Sequence, residues 1–525
     1  MVKKHKKNIF ITTPIYYVND SPHLGHAYTT IATDILARHY RLLGTSVKFL
    51  TGTDEHGQKI EKSALKAEIP VQEFVDAVSL RFQNLVNTKN SVNLLNISND
   101  DFIRTTESRH KKSATKFWER LVENGFIYKD KYSGWYSVRD EAYYQESELI
   151  DGKAPTGAEV EWLEEESYFF KLSAFQDKLL KFYEENPKFI FPESRYNEVK
   201  SFVESGLKDL SISRSNISWG IKVPNDKKHI MYVWIDALVN YLTACNYIDE
   251  NSAEFKDFWI NSNVIHLVGK DILRFHAVYW PAFLMAAKLP LPKNIVAHGW
   301  WTIEGEKMSK SLGNVISPED LITKFGLEPL RFVLFREMVF GNDGNFSADL
   351  IKGRINAELA NNIGNLVQRS ISMLEKYFYL EVPKHPHFDD GDFDEKTFQL
   401  LTTAYKVGLD DSFFVEKLSN FDFQKSLEVI LVIATKANEY IESMAPWKLY
   451  REDSQKCALV IYTLLEVIRV IAIALQAFIP VNSNKILDWL QVDKKHRTYH
   501  NATADFAIKV GTKVLKPEIL FRRIE

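Results

Sequence analysis

The sequence predicts an α/β protein in which a parallel sheet is split by an inserted mixed domain and followed by an α-helical bundle. Three observations carry this prediction. Short apolar runs alternate with helical patterns, an aromatic and acidic stretch at about residues 116–225 interrupts that alternation, and strand signals fade beyond about residue 350. Alternating strands and helices are typical of a parallel sheet, whose ligands bind beyond the carboxyl ends of its strands.

Two apolar runs near the start of the chain predict neighbouring strands. The first, Asn8 to Ile11, leads through Pro14 into a loop. The second, Val47 to Leu50, delivers the polar residues Thr51 to Asp54 at its carboxyl end. Polar side chains in that place are candidates for ligand binding.

The helix between these runs has local signals at both ends. Ser21 is expected to cap its free amides, and Pro22 suits the first turn because a proline lacks an N–H that would be unpaired there. Gly44 suits a left-handed stop.

After the interruption the alternation is expected to resume with Met231 to Trp234. It continues with Val264 to Val268, then with Gly269-Lys270-Asp271 and a helix through Trp280. Farther on, apolar residues at helical spacing predict one buried stripe in a bundle. They are Ile355, Leu359, Ile363, Leu366 and Leu374.

The composition fits a globular, multidomain protein of a reducing compartment. The chain has 525 residues, 45% of them hydrophobic, and a formal net charge of -3, which excludes a uniformly basic nucleic-acid binder. Its two cysteines, Cys245 and Cys457, encode neither a disulfide framework nor a zinc knuckle. The apolar run Val467 to Val481 is interrupted and too short for a bilayer, so we expect a buried helix and a cytoplasmic protein without a membrane partner.

The first chemical constellation is His23-Leu24-Gly25-His26, in the opening turn of the predicted helix. Imidazoles three residues apart share one side of a helix, whose amino end attracts phosphate. Gly25 is expected to leave room for a nucleotide. Fixed donors at this place would stabilise charge that develops on an α-phosphate. By itself the tetrapeptide is also compatible with two surface histidines.

The second constellation is Lys307-Met308-Ser309-Lys310-Ser311, a polar loop between Gly305 and Gly313. Two lysines beside small hydroxyl residues suit a triphosphate whose terminal groups leave as pyrophosphate. Lysine–serine loops are common, so the residues alone do not decide the function.

Together the two motifs make the chain resemble the class I aminoacyl-tRNA synthetases, whose HIGH and KMSKS signatures stand at His23 to His26 and Lys307 to Ser311. The resemblance implies a Rossmann-like catalytic domain that forms an aminoacyl-adenylate from ATP accompanied by Mg²⁺. It implies that His23 and His26 stabilise the α-phosphate, and that Lys307 and Lys310 close over the pyrophosphate.

Three further stretches are similar to the methionyl-tRNA synthetase family: Thr12 to Asn19, Tyr232 to Ala237 and Gly269 to Ile272. This similarity implies that L-methionine is activated and transferred to the 3′ end of tRNA(Met), in protein synthesis including initiation. Carried over by position, the methionine-binding residues are Ile15, Tyr17, Asp54, Trp234, Ala237, Tyr241 and His276. In this set Asp54 would hold the ammonium group.

The chemistry of these residues suits a thioether, which is polarizable and a weak acceptor. Tyr241 is the candidate hydroxyl for the sulfur. If Asp236 caps a helix, Ala237 and Tyr241 lie one turn apart on one face. Trp280 fits core packing equally well and is left outside the predicted site.

The resemblance also assigns the nucleotide and the anticodon. The ATP-binding candidates are Gly25, Gly269, Asp271, His298, Gly299, Trp300 and Lys310. Asp271 could instead cap the next helix. For the CAU anticodon the candidates are Asn365, Arg369 and Trp447, which offer hydrogen bonds and a stacking surface. Without the resemblance, Asn365 and Arg369 would be interpreted as part of a solvated helix face, and Trp447 as an anchor at a helix end.

The expected domains follow from these assignments. They are the catalytic halves at 1–115 and 226–297, an inserted connective domain at 116–225, the lysine-loop and stem-contact region at 298–356 and an anticodon-binding bundle at 357–525. Many members of the family bind zinc through cysteines in the inserted domain. Because this range has no cysteine, we predict no metal there and packing through Trp135, Tyr136, Tyr143, Tyr144 and Trp162. The chain stops without the appended oligonucleotide-binding domain of some relatives, so a monomer is expected.

Three rival readings remain at this point. A leucyl, valyl or isoleucyl enzyme usually carries a larger inserted editing domain than about 110 residues allow. A catalytically inactive RNA-binding relative would not need the intact histidines and lysines of both motifs. A small nucleotidylyltransferase would share the histidine motif but would not account for the helical third.

Overall fold

The computed structural model describes residues 8–89, 91–140, 142–144, 146–303, 306–307, 316–384, 394–409 and 412–525. It divides into two compact units, one of residues 1–33 and 47–298 and the other of residues 34–46 and 299–525. Helix α1, Leu24–Leu42, begins in the first unit and ends in the second.

The first unit is built on strands β1 to β13. Their bounds are β1 Asn8–Tyr17, β2 Val47–Asp54, β3 Asp101–Arg104, β4 Ile127–Ser137, β5 Ala142–Tyr144, β6 Glu161–Phe170, β7 Ile190–Phe191, β8 Leu210–Ser211, β9 Ser213–Arg214, β10 Lys222–Val223, β11 Asp226–Met231, β12 Ser262–Gly269 and β13 Asn294–His298. The central sheet is parallel, in the order β3-β2-β1-β12-β13-β7. This sheet confirms the predicted fold class.

The helices of this unit cover the central sheet and connect its strands. After α1 they are α2 Gln58–Lys66, α3 Val71–Leu85, α4 Ser108–Glu123, α5 Gln176–Glu185, α6 Glu193–Glu204, α7 Val233–Leu238, α8 Asn240–Ala244, α9 Ala253–Phe255 and α10 Trp280–Ala286. Wider π-type turns occupy Lys256–Ile260 and Phe275–Tyr279. One large core unites the sheet with α4, α8 and α10.

The four-stranded antiparallel sheet of this unit lies within the range expected for the inserted domain. Strands β5-β4-β6-β8 form one sheet, and the rings of Trp135 and Trp162 meet edge to face at 5.4 Å. Trp162 is nevertheless 54% exposed, while Tyr136 is buried. The side chain of Tyr143 lies outside the described residues. Strand β7 also falls within 116–225, yet it pairs with β13 in the central sheet.

Three local predictions for the first unit are wrong. Strand β1 does not end before Pro14 but continues to Tyr17, with a register shift between Thr12 and Ile15 that accommodates the proline. Met231 ends an antiparallel strand and Trp234 belongs to α7, so Met231 to Trp234 is not a strand of the central sheet.

The third wrong prediction is the start of α1, which begins at Leu24 rather than after Ser21. The Ser21 hydroxyl accepts a hydrogen bond from Arg81. The predicted end of the helix is right. Gly44 has φ +75°, and the Thr45 N–H donates to the Tyr40 carbonyl, which closes a Schellman motif.

The second unit is mainly helical. Its strands are β14 Trp301–Ile303, β15 Glu306–Lys307 and β16 Gly344–Phe346. Its helices are α11 Pro318–Phe325, α12 Leu327–Glu337, α13 Ala348–Arg354, α14 Asn365–Phe378, α15 Glu395–Tyr405, α16 Phe413–Ser419, α17 Phe423–Met444, α18 Pro446–Glu452, α19 Ser454–Leu475 and α20 Pro480–Trp489. A π-type segment, Ile355–Gly364, joins α13 to α14. The predicted stripe from Ile355 to Leu374 is buried in this bundle.

Helix α19 lies at the centre of the bundle. It is long and apolar enough to cross a membrane by length and composition, but its apolar window is entirely buried within the protein. Two of its charged residues, Glu466 and Arg469, pair with each other, because Arg469 donates to the Glu466 carboxylate at 2.8 Å. Both cysteines are buried, Cys457 in this helix and Cys245 in the first unit.

Candidate active site

The first turn of α1 is built around its two histidines. The His23 carbonyl accepts from the Ala27 N–H, so His23 is the N-cap residue. Its Nδ1 accepts from the Gly25 N–H at 3.0 Å, and the Nδ1 of His26 accepts from the His23 N–H at 3.1 Å. The imidazole of His23 therefore performs the capping predicted for Ser21.

These two hydrogen bonds determine which ring nitrogens carry protons. Because the Nδ1 atoms of His23 and His26 both accept, each neutral ring has its proton on Nε2. Burial, reinforced by the neighbouring His23, holds the pKa of His26 well below its usual value. His26 therefore offers a neutral N–H donor at neutral pH.

Gly25 has a steric role beside the His23 ring. A β-carbon at this position would lie 2.9 Å from Cε1 of His23. The residue leaves space for the capping imidazole, in addition to any space for a nucleotide. The ring centroids of His23 and His26 are 3.9 Å apart.

The carboxyl ends of β1 and β2 bring two predicted residues side by side. Tyr17 and Asp54 are register partners in the parallel pair, and Ile15 lies two residues before Tyr17. Asp54 is 7% exposed, whereas Ile15 and Tyr17 are partly exposed. One acidic group thus lies beside partly accessible apolar and aromatic surface.

Three further residues predicted to bind methionine lie in α7 and α8, and the fourth, His276, lies in the π-type turn Phe275–Tyr279. Trp234 is partly exposed and stacks on Phe275, with ring centroids 3.6 Å apart and planes at 8°. It also meets His276 edge-on at 6.3 Å. Ala237 and Tyr241 are buried, and Trp234 and Tyr241 both contact His276.

The Tyr241 hydroxyl has a defined partner. The Nδ1 of His276 lies 3.0 Å from the Ile272 carbonyl, which only accepts, so Nδ1 carries the proton. The Nε2 of His276 therefore accepts from the Tyr241 hydroxyl at 2.8 Å. Burial lowers the pKa of His276 to about 4, which keeps the ring neutral. In this state the hydroxyl proton expected to recognise sulfur is donated to His276 instead.

The nucleotide candidates divide between the two units. Gly269 and His298 are register partners at the ends of β12 and β13 in the first unit. Asp271 lies in the turn Lys270–Ile272 after Gly269. Gly299 and Trp300 belong to the second unit, where the Trp300 N–H donates to Asp343 at 2.8 Å.

His298 links β13 to α1. The Thr29 hydroxyl donates to the Gly25 carbonyl, so Nε2 of His298 is the donor in the 2.7 Å contact with Thr29. The ring of His298 also packs edge-on against Tyr28 at 5.2 Å. The buried imidazole thus steadies the first turn of α1.

The lysine motif is only partly described. Lys307 ends β15, and nothing is described of its side chain. Lys310 lies outside the described residues.

The anticodon candidates lie on accessible parts of the bundle. Asn365 and Arg369 are one turn apart in α14 and partly exposed, and Arg369 donates to Glu442 of α17 at 2.7 Å. Trp447, in α18, is 40% exposed. Since α18 follows α17 directly after Ala445, Glu442 and Trp447 are separated by only one turn and the helix junction.

Nothing in the sequence indicated a buried polar group that lies beside the residues predicted to bind methionine. Asp236 was expected to cap a helix, but it lies inside α7 instead. Its carboxylate accepts hydrogen bonds from His56 and His110, each at 2.7 Å. No local pattern signals this arrangement, because the histidines are distant in sequence. Phe275, the stacking partner of Trp234, was also missed, although it directly precedes His276.

No cluster of three or more histidine, cysteine, aspartate or glutamate side chains with metal-binding geometry occurs among the described residues. The predicted absence of zinc stays a prediction.

Comparison with known proteins identifies the family. The family of tRNA synthetases class I (M) matches residues 9–161 and 147–371, and the anticodon binding domain of methionyl tRNA ligase matches residues 402–525. The chain belongs to the class I methionyl-tRNA synthetases. The resemblance inferred from the two motifs is thereby confirmed.

Individual members of this family match over almost their whole length. The methionine–tRNA ligase of Rickettsia felis is 54% identical, with 99% of each chain covered. That of Rhizobium meliloti is 48% identical, with 98% of each chain covered. The Mycobacterium tuberculosis methionyl-tRNA synthetase in complex with methionyl-adenylate has a TM-score of 0.91 and 43% identity, covering 98% of this chain and 100% of that one. Its free form gives a TM-score of 0.85.

Proposed function

We propose that this chain is a methionine–tRNA ligase, which activates L-methionine with ATP and transfers it to the 3′ end of tRNA(Met). The observation that carries the proposal is the first turn of α1, where two imidazoles present Nε2–H donors at a helix amino end. Family membership over almost the whole chain supports the same activity.

Activation requires attack of the methionine carboxylate on the α-phosphate of ATP, with pyrophosphate as the leaving group. His23 and His26 would donate from Nε2 to the phosphate oxygens as their negative charge grows, and neutral donors need no proton transfer for this role. Lys307 and Lys310 are assigned by the family resemblance to the departing pyrophosphate. No covalent nucleophile from the protein is required.

Methionine would be held at both ends. Asp54 would pair with the ammonium group, and Ile15, Tyr17, Trp234, Ala237, Tyr241 and His276 would surround the side chain. Because the Tyr241 proton is donated to His276, a hydrogen bond from Tyr241 to sulfur requires that this bond be broken or shared. Shape and polarizable aromatic surface then favour the thioether, a discrimination of about 1 to 3 kcal/mol per methylene.

The nucleotide would lie beyond β12 and β13 of the first unit, with Gly25, Gly269, Asp271 and His298 as candidates. For Gly299 and Trp300, of the second unit, nucleotide binding stays a prediction. Mg²⁺ is proposed as a companion of the triphosphate, whose charge it would neutralise. Because Mg²⁺ gives up its water reluctantly and binds through substrate phosphates, phosphate oxygens and water would be its main ligands.

Recognition of tRNA would use the accessible face of the bundle. Arg369 and Asn365 would hydrogen-bond to unpaired anticodon bases, and Trp447 would provide a stacking surface. The match to the anticodon binding domain of methionyl tRNA ligase supports this assignment, although that match begins at residue 402.

ATP–pyrophosphate exchange with each of the twenty amino acids tests the proposal. We expect exchange with methionine and little with leucine, isoleucine or valine. Exchange driven best by another amino acid would contradict the proposed specificity, and no exchange with any would contradict the ligase activity. Charging of transcripts with CAU and altered anticodons tests the second half-reaction.

The monomeric state and the cytoplasmic location stay predictions. Light scattering of the purified chain tests the first, and cell fractionation tests the second.

A further inference from the structure

A buried carboxylate lies between two buried histidines in the first unit. Asp236 is 0% exposed, and its Oδ2 and Oδ1 lie 2.7 Å from Nδ1 of His56 and Nε2 of His110. Burial acts to raise the pKa of Asp236, but the two histidines outweigh it and bring the pKa to about 2. The carboxylate is therefore ionised and accepts from both rings.

The three residues come from three separate elements. His56 follows β2, two residues after Asp54, while Asp236 lies in α7 between Trp234 and Ala237. His110 belongs to α4. One carboxylate thus connects the proposed ammonium site with the wall of the proposed side-chain pocket.

Neighbouring contacts hold the β2 side of this connection. Glu55, which lies between Asp54 and His56, is buried and accepts from Arg104 at 2.6 and 3.0 Å. The Thr53 hydroxyl donates to the same carboxylate at 2.8 Å. The segment that carries Asp54 is consequently fixed on both sides.

We propose that Asp236 is a positioning residue for methionine, which keeps Trp234 and Ala237 at a fixed distance from Asp54 through its hydrogen bonds to His56 and His110. Asp236 touches no substrate in this role. The inference rests on the proposed function, since it names the determinant of the same methionine site.

The role predicts a selective kinetic effect. Methionine spans the two parts of the pocket that Asp236 connects, whereas ATP would contact other elements. Loss of the connection should therefore raise KM for methionine by about tenfold or more and change KM for ATP by less than about twofold.

The test compares substitutions in the full-length chain by ATP–pyrophosphate exchange. Asp236→Ala removes both acceptors, and Asp236→Asn keeps the shape but not the charge. His110→Leu removes the donor, whereas His110→Gln keeps an N–H at the place of Nε2. The matched control is Asp34→Asn, because Asp34 is another wholly buried aspartate, paired with Arg331 in the second unit.

We expect Asp236→Ala and His110→Leu to raise KM for methionine selectively. His110→Gln should restore this KM toward the unsubstituted value. Asp34→Asn should leave it unchanged, even where it lowers thermal stability as much as the substitutions at Asp236 do. If Asp236→Ala does not fold, the pair at His110 decides. Unchanged KM for methionine in His110→Leu and Asp236→Asn, or an equal rise of KM for ATP, would overturn the positioning role alone. Absence of methionine-dependent exchange by the unsubstituted chain would overturn the proposed function and this inference with it.

Discussion

The first turn of α1 and the face of α14 around Arg369 are both proposed to bind nucleotides, yet they are constructed differently. In the first turn, both Nδ1 atoms are engaged by backbone N–H groups and the ring orientations are fixed. On α14, Arg369 is partly exposed and holds a neighbouring glutamate that a ligand can displace. In the proposed function, the first arrangement would be prepared for catalysis, whereas the second would be able to adapt to an RNA loop.

The largest effect is expected from a substitution in the first turn of α1. His26→Ala should lower the rate of adenylate formation by about 10² to 10³, because one donor to the developing charge is lost. His26→Gln can keep a side-chain N–H at the place of Nε2, the atom that donates, and should recover part of the rate. Single-turnover formation of methionyl-adenylate measures this effect. A rate within about threefold of the unsubstituted protein would contradict the role of His26.

The second effect is a loss of stability in acid, which should arise in the first unit because its buried histidines are neutral. His276 has a folded-state pKa of about 4, below its ordinary value of 6.5, so protons bind the unfolded chain preferentially as the pH falls. The contribution of His276 to the free energy of unfolding is fully present above about pH 6.5. It falls by about 3 kcal/mol as the pH is lowered to about 4. Urea unfolding at about pH 7.5, 6 and 5 measures the loss.

His276→Asn cannot titrate and should show a shallower dependence on pH. It should not become independent of pH, because burial also lowers the pKa values of His26 and His266. An unfolding free energy that is constant from pH 7.5 to 5 would show that these histidines are not buried in solution.

The third effect should fall on the adaptable surface alone. Trp447→Ala should reduce charging of tRNA(Met) by about 10- to 100-fold through lost stacking, and leave ATP–pyrophosphate exchange within about twofold. Trp447→Phe keeps a flat ring and serves as the control. Parallel loss of both activities would indicate that Trp447 supports the fold instead.

The smallest effect would sharpen the contrast between the two regions. Glu442→Gln removes the ion-pair partner of Arg369 and a negative charge near the RNA, so KM for tRNA should fall by up to about fivefold. Thermal stability should stay the same, since exposed ion pairs contribute about 0 to 1 kcal/mol. A rise in KM would mean that Glu442 orients Arg369 for binding.

The sequence predicted those features that depend on neighbouring residues in the chain. The Gly44 stop, the buried stripe from Ile355 to Leu374 and the polar ends of β2 and β12 all follow from local periodicity and turn chemistry. Strand β7 has only two residues, too few for a periodic signal. The continuation of β1 past Pro14 depends on pairing with β2, which local propensity does not contain.

In the candidate site, the residue identities were easier to predict than their hydrogen bonds. His23 and His26 were expected at the start of a helix, but the capping role of His23 required the actual path of the backbone. For Asp236, a cap was the reasonable local interpretation. Its real partners are separated from it by 180 and 126 residues, so only the folded chain reveals them.

Because both cysteines are buried, the native chain should react only slowly with thiol reagents. Burial raises the pKa of Cys457 to about 11 and that of Cys245 still further, so little reactive thiolate exists at neutral pH. A single cysteine introduced at the exposed Lys448 of α18 would consequently accept a maleimide dye selectively. Fluorescence from that dye could then follow tRNA binding beside Trp447, with both natural thiols left in place.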